Sequence, residues 1–227
     1  GDGGVIPKML EDMVGRFYAW WDVFADFVME FLQGEEKAFY PVVFKTCDVP
    51  QPLRAEVRKT IKARVHAIVM EIDKARIITR DFPTAWTASL RASLIELIDT
   101  LTDYVLMKEE CILTPLESLF SEPELLDIEK SLLAVLAASK HPFKVTALYC
   151  RAIPPERRGA WTAQRMGLVF RTKLRMRMDG TLAERGRAVE GMRGEVERLG
   201  LGARLKVAEA EAGWAEDVEM VDLFAAQ

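Results

Sequence analysis

The chain has 227 residues, of which 50% are apolar and 29% are charged, and its formal net charge is −4. This length and apolar content are typical of one large or two small folded domains and exclude a disordered chain. Charges interrupt every apolar run before the roughly 18 residues that a membrane span needs, and no secretory signal is visible. Because its three cysteines are far apart, we expect no disulfide framework and an intracellular, reducing compartment.

The charges are distributed unevenly along the chain. Residues 1–150 carry 17 Lys and Arg against 23 Asp and Glu, residues 151–206 carry 14 against 6, and residues 207–227 carry none against 6. Such asymmetry indicates either a charged partner or a contact between segments of one molecule. We expect three parts: a helical bundle over residues 1–120, appended helices with a basic surface over 121–206, and an acidic tail over 207–227.

Apolar residues recur at helical spacing in the first half of the chain. They predict a long first helix, a second helix that ends before Asp81, and a third helix. The apolar seams are Met13, Phe17, Trp20, Phe24, Phe27 and Phe31 in the first helix, Val57, Ile61, Val65, Ile68 and Ile72 in the second, and Leu90, Leu94, Leu97, Leu101 and Tyr104 in the third. Seams of this kind are typical of helices that pack lengthwise on one another.

Further helices are predicted beyond Pro123, over residues 125–136, 143–152, 155–178 and 181–199. Pro155 is suited to a helix start, and Gly180 is suited to a helix end. No segment alternates with period two for long enough to predict a strand. The sequence therefore predicts an all-α fold.

A short motif occurs twice, near the C-terminal end of two seamed helices. Residues 35–41 read EEKAFYP, and residues 109–115 read EECILTP. Following each seam forward by four residues, from Phe31 and from Val105, predicts that Glu35 and Glu109 point into the bundle. A buried carboxylate is costly unless it is paired or binds a metal, and helical bundles build metal sites from carboxylates and histidines.

These motifs resemble those of the hemerythrin-like family, the HHE-type cation-binding bundles, over about residues 10–120. In that family the second and fourth helices each carry a histidine one turn before a glutamate, followed by a hydrophobic pair and a proline. The first and third helices each contribute another histidine. The resemblance implies an up-down helical bundle with a non-haem di-iron centre. It places bridging carboxylates at Glu35 or Glu36 and at Glu109 or Glu110, and a histidine ligand at His66.

The chain departs from the family where the histidines stand. Phe31 and Leu32 lie one turn before the first glutamates, Val105 and Leu106 lie one turn before the second, and His141 is outside the resembling region. Two carboxylates and one histidine are too few ligands for two irons, so reversible oxygen binding is not expected. We predict a non-catalytic structural or adaptor subunit of a larger assembly, without a cofactor.

Two alternatives stay open from the sequence. One is a metal-binding protein in oxygen, iron or redox handling, with iron or another divalent metal held by Glu35, Glu109 and His66. Without a metal, we expect the glutamates to pair with Lys37, Arg64, Lys108 or His66. The other is a peripheral protein that contacts an anionic membrane surface through its basic helices. An enzyme is not expected, because no nucleophile motif or phosphate-binding glycine pattern is present.

The basic helix predicted over residues 155–178 is the candidate partner surface. Its cations alternate with methionine, leucine, valine and phenylalanine, a composition that suits an anionic partner. A protein partner is favoured over nucleic acid, because the chain is acidic overall and has no nucleic-acid-binding motif. Packing of this helix against the rest of the same molecule stays open as an alternative to a protein partner. The cations expected to bind the partner are Arg165, Arg171, Lys173, Arg175 and Arg177.

Overall fold

The structure, a computed structural model, describes residues 5–79 and 83–198, and these ranges contain helices and their connections but no strand. The helices are α1 (Val5–Gly34), α2 (Tyr40–Thr46), α3 (Ala55–Thr79), α4 (Pro83–Leu119), α5 (Glu122–Ala137), α6 (Pro142–Arg151), α7 (Pro155–Arg165) and α8 (Leu168–Arg198). A π-helical turn, Glu35–Phe39, joins α1 to α2, and a 3-10 turn, Gln51–Leu53, precedes α3. The predicted all-α fold class is confirmed.

Within the described ranges, no helix combines the length and apolarity needed to cross a membrane. The acidic tail predicted over residues 207–227 lies outside those ranges, as do two expected helix boundaries, Asp81 and residue 199.

α1 lies at the centre of the fold, in contact with α3, α5, α6 and α8. Because it has neighbours on several sides, apolar side chains cover more than one of its faces. The predicted seam through Phe17, Trp20, Phe24 and Phe27 is only half-buried, and the stripe displaced by one residue is buried. The buried stripe consists of Tyr18, Trp21, Ala25, Val28 and Leu32. The prediction identified the helix but misplaced its most buried stripe.

Two core clusters lie along this bundle. The first joins the buried stripe of α1 to α3 and α4. The second joins α2, the 3-10 turn, α4 and α5 through Tyr40, Val43, Leu53, Ile112, Phe120 and Ile128. The end of α1 packs closely on side chains of α5, since a Cβ added at Gly34 would lie 2.6 Å from Leu132 Cδ1. A larger residue at position 34 therefore requires the Leu132 side chain to move.

The C-terminal helices divide differently from the prediction. The helix predicted over 155–178 is interrupted at Met166, whose backbone is extended (φ −127°, ψ 142°) and whose side chain packs against the core between α5, α6 and α8. α8 then continues through Gly180 to Arg198, so the predicted end at Gly180 is wrong. One exposed glycine costs a helix about 1 kcal/mol relative to alanine, which is too little to end a long one.

Candidate functional site

The first copy of the repeated motif forms the π-helical turn between α1 and α2. Pro41 has no backbone N–H and so donates no hydrogen bond to the carbonyl four residues earlier. At the residue just before this proline, the Tyr40 N–H bonds to the Glu35 carbonyl, five residues back, and not to the carbonyl four residues back that an α-helix would use. Residues five apart in an α-helix differ by about 140° in direction, whereas the wider turn brings them onto one face. Glu35 and Tyr40 therefore both face the interior, and each is 2% exposed.

Glu35 is the centre of what we call the buried polar cluster, which consists of Glu35, Tyr40, Tyr104 and Lys108. One carboxylate oxygen of Glu35 accepts a hydrogen bond from Tyr104 Oη at 2.7 Å, and the other accepts one from Lys108 Nζ at 2.6 Å. Tyr104 uses its only proton for Glu35, so Tyr40 is the donor in the 2.5 Å contact between the two phenols. A continuous chain of hydrogen bonds thus joins α2, the π-helical turn and α4.

A second ion pair lies beside the buried polar cluster. Arg58, in the first turn of α3, donates to both carboxylate oxygens of Glu36, at 2.7 and 3.1 Å, and to the Leu53 carbonyl. Its guanidinium carbon lies 4.1 Å from the centre of the Tyr40 ring. Burial opposes the charge of Arg58, but the hydrogen bonds to Glu36 and the negative charge of that carboxylate together outweigh burial and raise the pKa of Arg58. Two carboxylates and two cations therefore balance one another here.

The two phenols of the buried polar cluster stay protonated at neutral pH, and so does the thiol of Cys150, which is buried in a separate core cluster between α6 and α8. Burial, and then the Glu35 carboxylate, raise the pKa of Tyr40 and Tyr104 above the ordinary value of 10.0. Burial raises the pKa of the Cys150 thiol to about 11. Since nucleophilic attack needs the deprotonated form, these three groups act as hydrogen-bonding or packing groups.

The structure does not bring together the residues expected to bind a metal. Glu35 points inward as predicted, but Glu109 and His66 are exposed, so the prediction of an inward Glu109 is wrong. The seam of α4 explains the difference, because a four-residue step from Tyr104 leads to Lys108, and Glu109 lies about 100° further round the helix. Lys108 is therefore the residue that faces Glu35.

The iron-ligand set implied by the hemerythrin-like resemblance does not fit this arrangement. Glu35 is paired with the Lys108 ammonium, and Glu36 is paired with the Arg58 guanidinium. Glu110, like Glu109, is exposed to solvent. No three histidine, cysteine, aspartate or glutamate side chains in the described part of the chain form a group that could hold a metal ion. The remaining histidine, His141, has its Nε2 atom 3.4 Å from a carboxylate oxygen of Asp26.

Sequence reasoning offered Lys108 among several possible ion-pair partners of the two glutamates and missed Arg58, although the spacing contained a signal for both. Extending the 4 and 3 seam of α4 beyond Tyr104 gives Lys108. In α3, stepping back three residues from Ile61 gives Arg58, which is 9% exposed, whereas Val57, the residue predicted for the seam, is 37% exposed. A cation on a buried seam is itself a sign that a carboxylate faces it.

α8 presents an exposed face that is both apolar and basic. Leu168, Val169 and Met176 are 67%, 68% and 79% exposed, and they lie within about 100° of one another around the helix. One exposed cation lies on either side of this stripe. We call this set the α8 face; it consists of Leu168, Val169, Thr172, Lys173, Arg175 and Met176.

The five cations predicted to bind a partner have different surroundings. Arg165 forms an ion pair with Glu129 and lies over the Trp161 ring, at 4.7 Å from its centre. The other four are in α8. Arg171 is half-buried, and Arg177 lies 4.6 Å from the centre of the Phe143 ring. Lys173 and Arg175 are exposed, and neither is in an ion pair with any residue that the structure describes.

Comparison of the chain with protein-family models, with curated proteins and with solved structures finds no match. The resemblance to hemerythrin-like bundles therefore stays a prediction.

Proposed function

We propose that this chain is a non-catalytic adaptor subunit, a bundle of the hemerythrin-like up-down kind that binds an acidic protein partner through the α8 face. The observation that carries the proposal is the stripe of three large apolar side chains, 67–79% exposed, between two cations that have no ion-pair partner in the described residues. Single exposed apolar residues are ordinary on a protein surface, whereas several on one face of a helix favour a binding surface.

The buried polar cluster supports a structural role for the bundle. Lys108 and Arg58 neutralise the glutamates of the first motif, and both pairs are hydrogen-bonded on more than one side. A fully hydrogen-bonded buried network makes one arrangement of the helices more favourable than the alternatives. These contacts therefore favour a structural role, in which the paired carboxylates hold the helices in one arrangement that a partner protein can bind, over a role in catalysis or metal binding.

The chemistry of the α8 face favours a helical partner with carboxylates beside an apolar stripe. An amphipathic helix can lay its apolar side chains against Leu168, Val169 and Met176 while its acidic residues meet Lys173 and Arg175. Charge complementarity of this kind speeds association and excludes basic partners. Proteins with exposed acidic helices are thus the partner class that we propose.

Site-specific photo-crosslinking in the source cells tests the proposal. A photoreactive amino acid replaces Thr172, at the centre of the α8 face, or Ala160, an exposed position on α7. We expect a protein adduct of discrete mass at residue 172 and none at residue 160. Adding Lys173→Glu and Arg175→Glu should reduce the adduct about tenfold, the effect of losing about 1.4 kcal/mol of binding free energy.

Three results contradict the proposal. They are the absence of a protein adduct at residue 172, equal adducts at residues 172 and 160, and an adduct whose yield does not change with the two charge reversals. An adduct that consists of lipid instead of protein also refutes it, and favours the peripheral membrane alternative.

A further inference from the structure

α4 carries an acidic face whose pattern is the complement of the α8 face. At its centre Leu106 is 53% exposed. Four exposed carboxylates lie within about 60° of Leu106 around the helix. We call this set the α4 face; it consists of Asp99, Asp103, Leu106, Glu109 and Glu110.

The α4 face has no partner in the described part of the molecule. α4 packs on α3 through its opposite side, where Leu97 and Tyr104 are buried. None of the four carboxylates forms an ion pair with a described residue. Four unpaired carboxylates on about three turns of helix repel one another, and a cationic partner relieves that repulsion.

The two faces match in chemistry and do not cover each other within one molecule. α8 packs on α1 and α6 and α4 packs on α3, while the outward sides of both helices are exposed. One face has an apolar stripe flanked by Lys173 and Arg175, and the other has a leucine surrounded by carboxylates. Apolar contact at the centre with opposite charges around it is the usual anatomy of a protein interface.

We propose that the α4 face of one molecule binds the α8 face of a second copy of this chain. This inference rests on the proposed function, because it names the partner of the α8 face. Since the two surfaces differ, the contact is heterologous, and repeated copies either close into a ring or extend into a filament. The contact involves exposed charges, so it weakens as salt shortens the Debye length from about 8 Å at 0.15 M to about 3 Å at 1 M.

Sedimentation velocity of the purified chain tests this contact by charge reversal. The wild type should form species larger than a monomer, increasingly so at higher concentration. Lys173→Glu with Arg175→Glu gives two acidic faces, and Asp103→Lys with Glu110→Lys leaves the α4 face with no net charge to attract the basic α8 face. Each of these double variants should sediment as a monomer, with self-association weakened at least about tenfold.

An equimolar mixture of the two double variants should associate again, because the unaltered acidic α4 face of the first variant then meets the unaltered basic α8 face of the second. The matched control, Lys144→Glu with Arg157→Glu, reverses two exposed cations on α6 and α7 and should self-associate like the wild type. This restoration separates a specific contact from a loss of folding, since a misfolded variant does not regain association on mixing.

Two results overturn the inference: a wild type that stays monomeric, or a mixture that stays as monomeric as its components. In either case a crosslink from residue 172 to a different acidic protein leaves the proposed function in place. If residue 172 gives no protein crosslink, and the variant with Lys173→Glu and Arg175→Glu self-associates like the wild type, both the proposed function and this inference are refuted.

Discussion

Replacing Lys108 by methionine should destabilise the fold far more than replacing an exposed lysine. Methionine preserves most of the aliphatic length of the lysine side chain and removes the ammonium. Glu35 then keeps its hydrogen bond from Tyr104 but loses the cation at 2.6 Å. The side chain of Glu35 is 3% exposed, so water does not replace the lost partner.

The size of the effect follows from that burial. Removing one member of a buried ion pair costs about 3–5 kcal/mol because the other charge is left uncompensated. The retained Tyr104 hydrogen bond places Lys108→Met near the lower end, at about 3 kcal/mol. Glu35→Gln should cost less, about 1 kcal/mol, because Lys108 is already 18% exposed and can extend into water.

Urea denaturation followed by far-ultraviolet circular dichroism measures these differences. A loss of about 3 kcal/mol moves the midpoint by about 1 to 1.5 M at a slope of 2–3 kcal/mol per M. In the double variant, Lys108→Met with Glu35→Gln, neither member of the pair is left as an uncompensated charge, so its cost should be about 2 kcal/mol below the sum of the single costs. Lys59→Met, an exposed lysine on α3, is the control and should be nearly neutral.

The reasoning about the buried polar cluster is refuted if Lys108→Met is as stable as Lys59→Met, or if the two single costs simply add in the double variant. The first result means that the Glu35 carboxylate does not need the ammonium. The second means that the two side chains are not energetically coupled.

Three further variants test other parts of the structure by the same unfolding assay. Gly34→Ala should cost about 1–3 kcal/mol of unfolding free energy, because its Cβ would lie 2.6 Å from a side chain of α5. The control Gly159→Ala has open space around it and should be neutral or stabilising. Equal changes in stability for the two variants contradict the close packing of α5 on Gly34. Arg58→Lys should still cost about 1–3 kcal/mol, because one ammonium does not reproduce the two-pronged bond to Glu36, and an unchanged midpoint contradicts this. Because the pKa of Tyr104 is raised above 10.0 in the folded chain, its stabilisation is complete below pH 10 and is lost at higher pH. Tyr104→Phe should make the stability curve flatter above pH 10, and an identical alkaline slope in both proteins argues against it.

The sequence was sufficient to predict the fold class and most helices, because apolar seams with 3 and 4 spacing are local features. Sequence patterns are less reliable where burial depends on contacts with other helices. α1 has neighbours on several sides, so the seam through Phe17 and Trp20 does not identify its most buried stripe, which runs through Tyr18 and Trp21. Likewise, the turn at Met166 depends on packing between α5, α6 and α8, which no local pattern reveals.

Only part of the candidate site was predictable from the sequence, again because local spacing does not specify contacts between helices. The repeated motif pointed to Glu35, but treating its two copies as equivalent led to an inward Glu109. The copies differ because the first opens into a π-helical turn before Pro41, whereas Pro115 lies inside a continuous α4. A change of helical type alters which residues share a face, and a sequence motif alone does not specify it.

The most direct test of the account is the native mass of the assembly that contains this chain in its source cells. The chain itself has a mass of 25.7 kDa. We predict a native mass above that value for the wild type, and the mass of the free chain for the variant with Lys173→Glu and Arg175→Glu. The same native mass for both proteins would contradict the claim that the α8 face is the attachment surface.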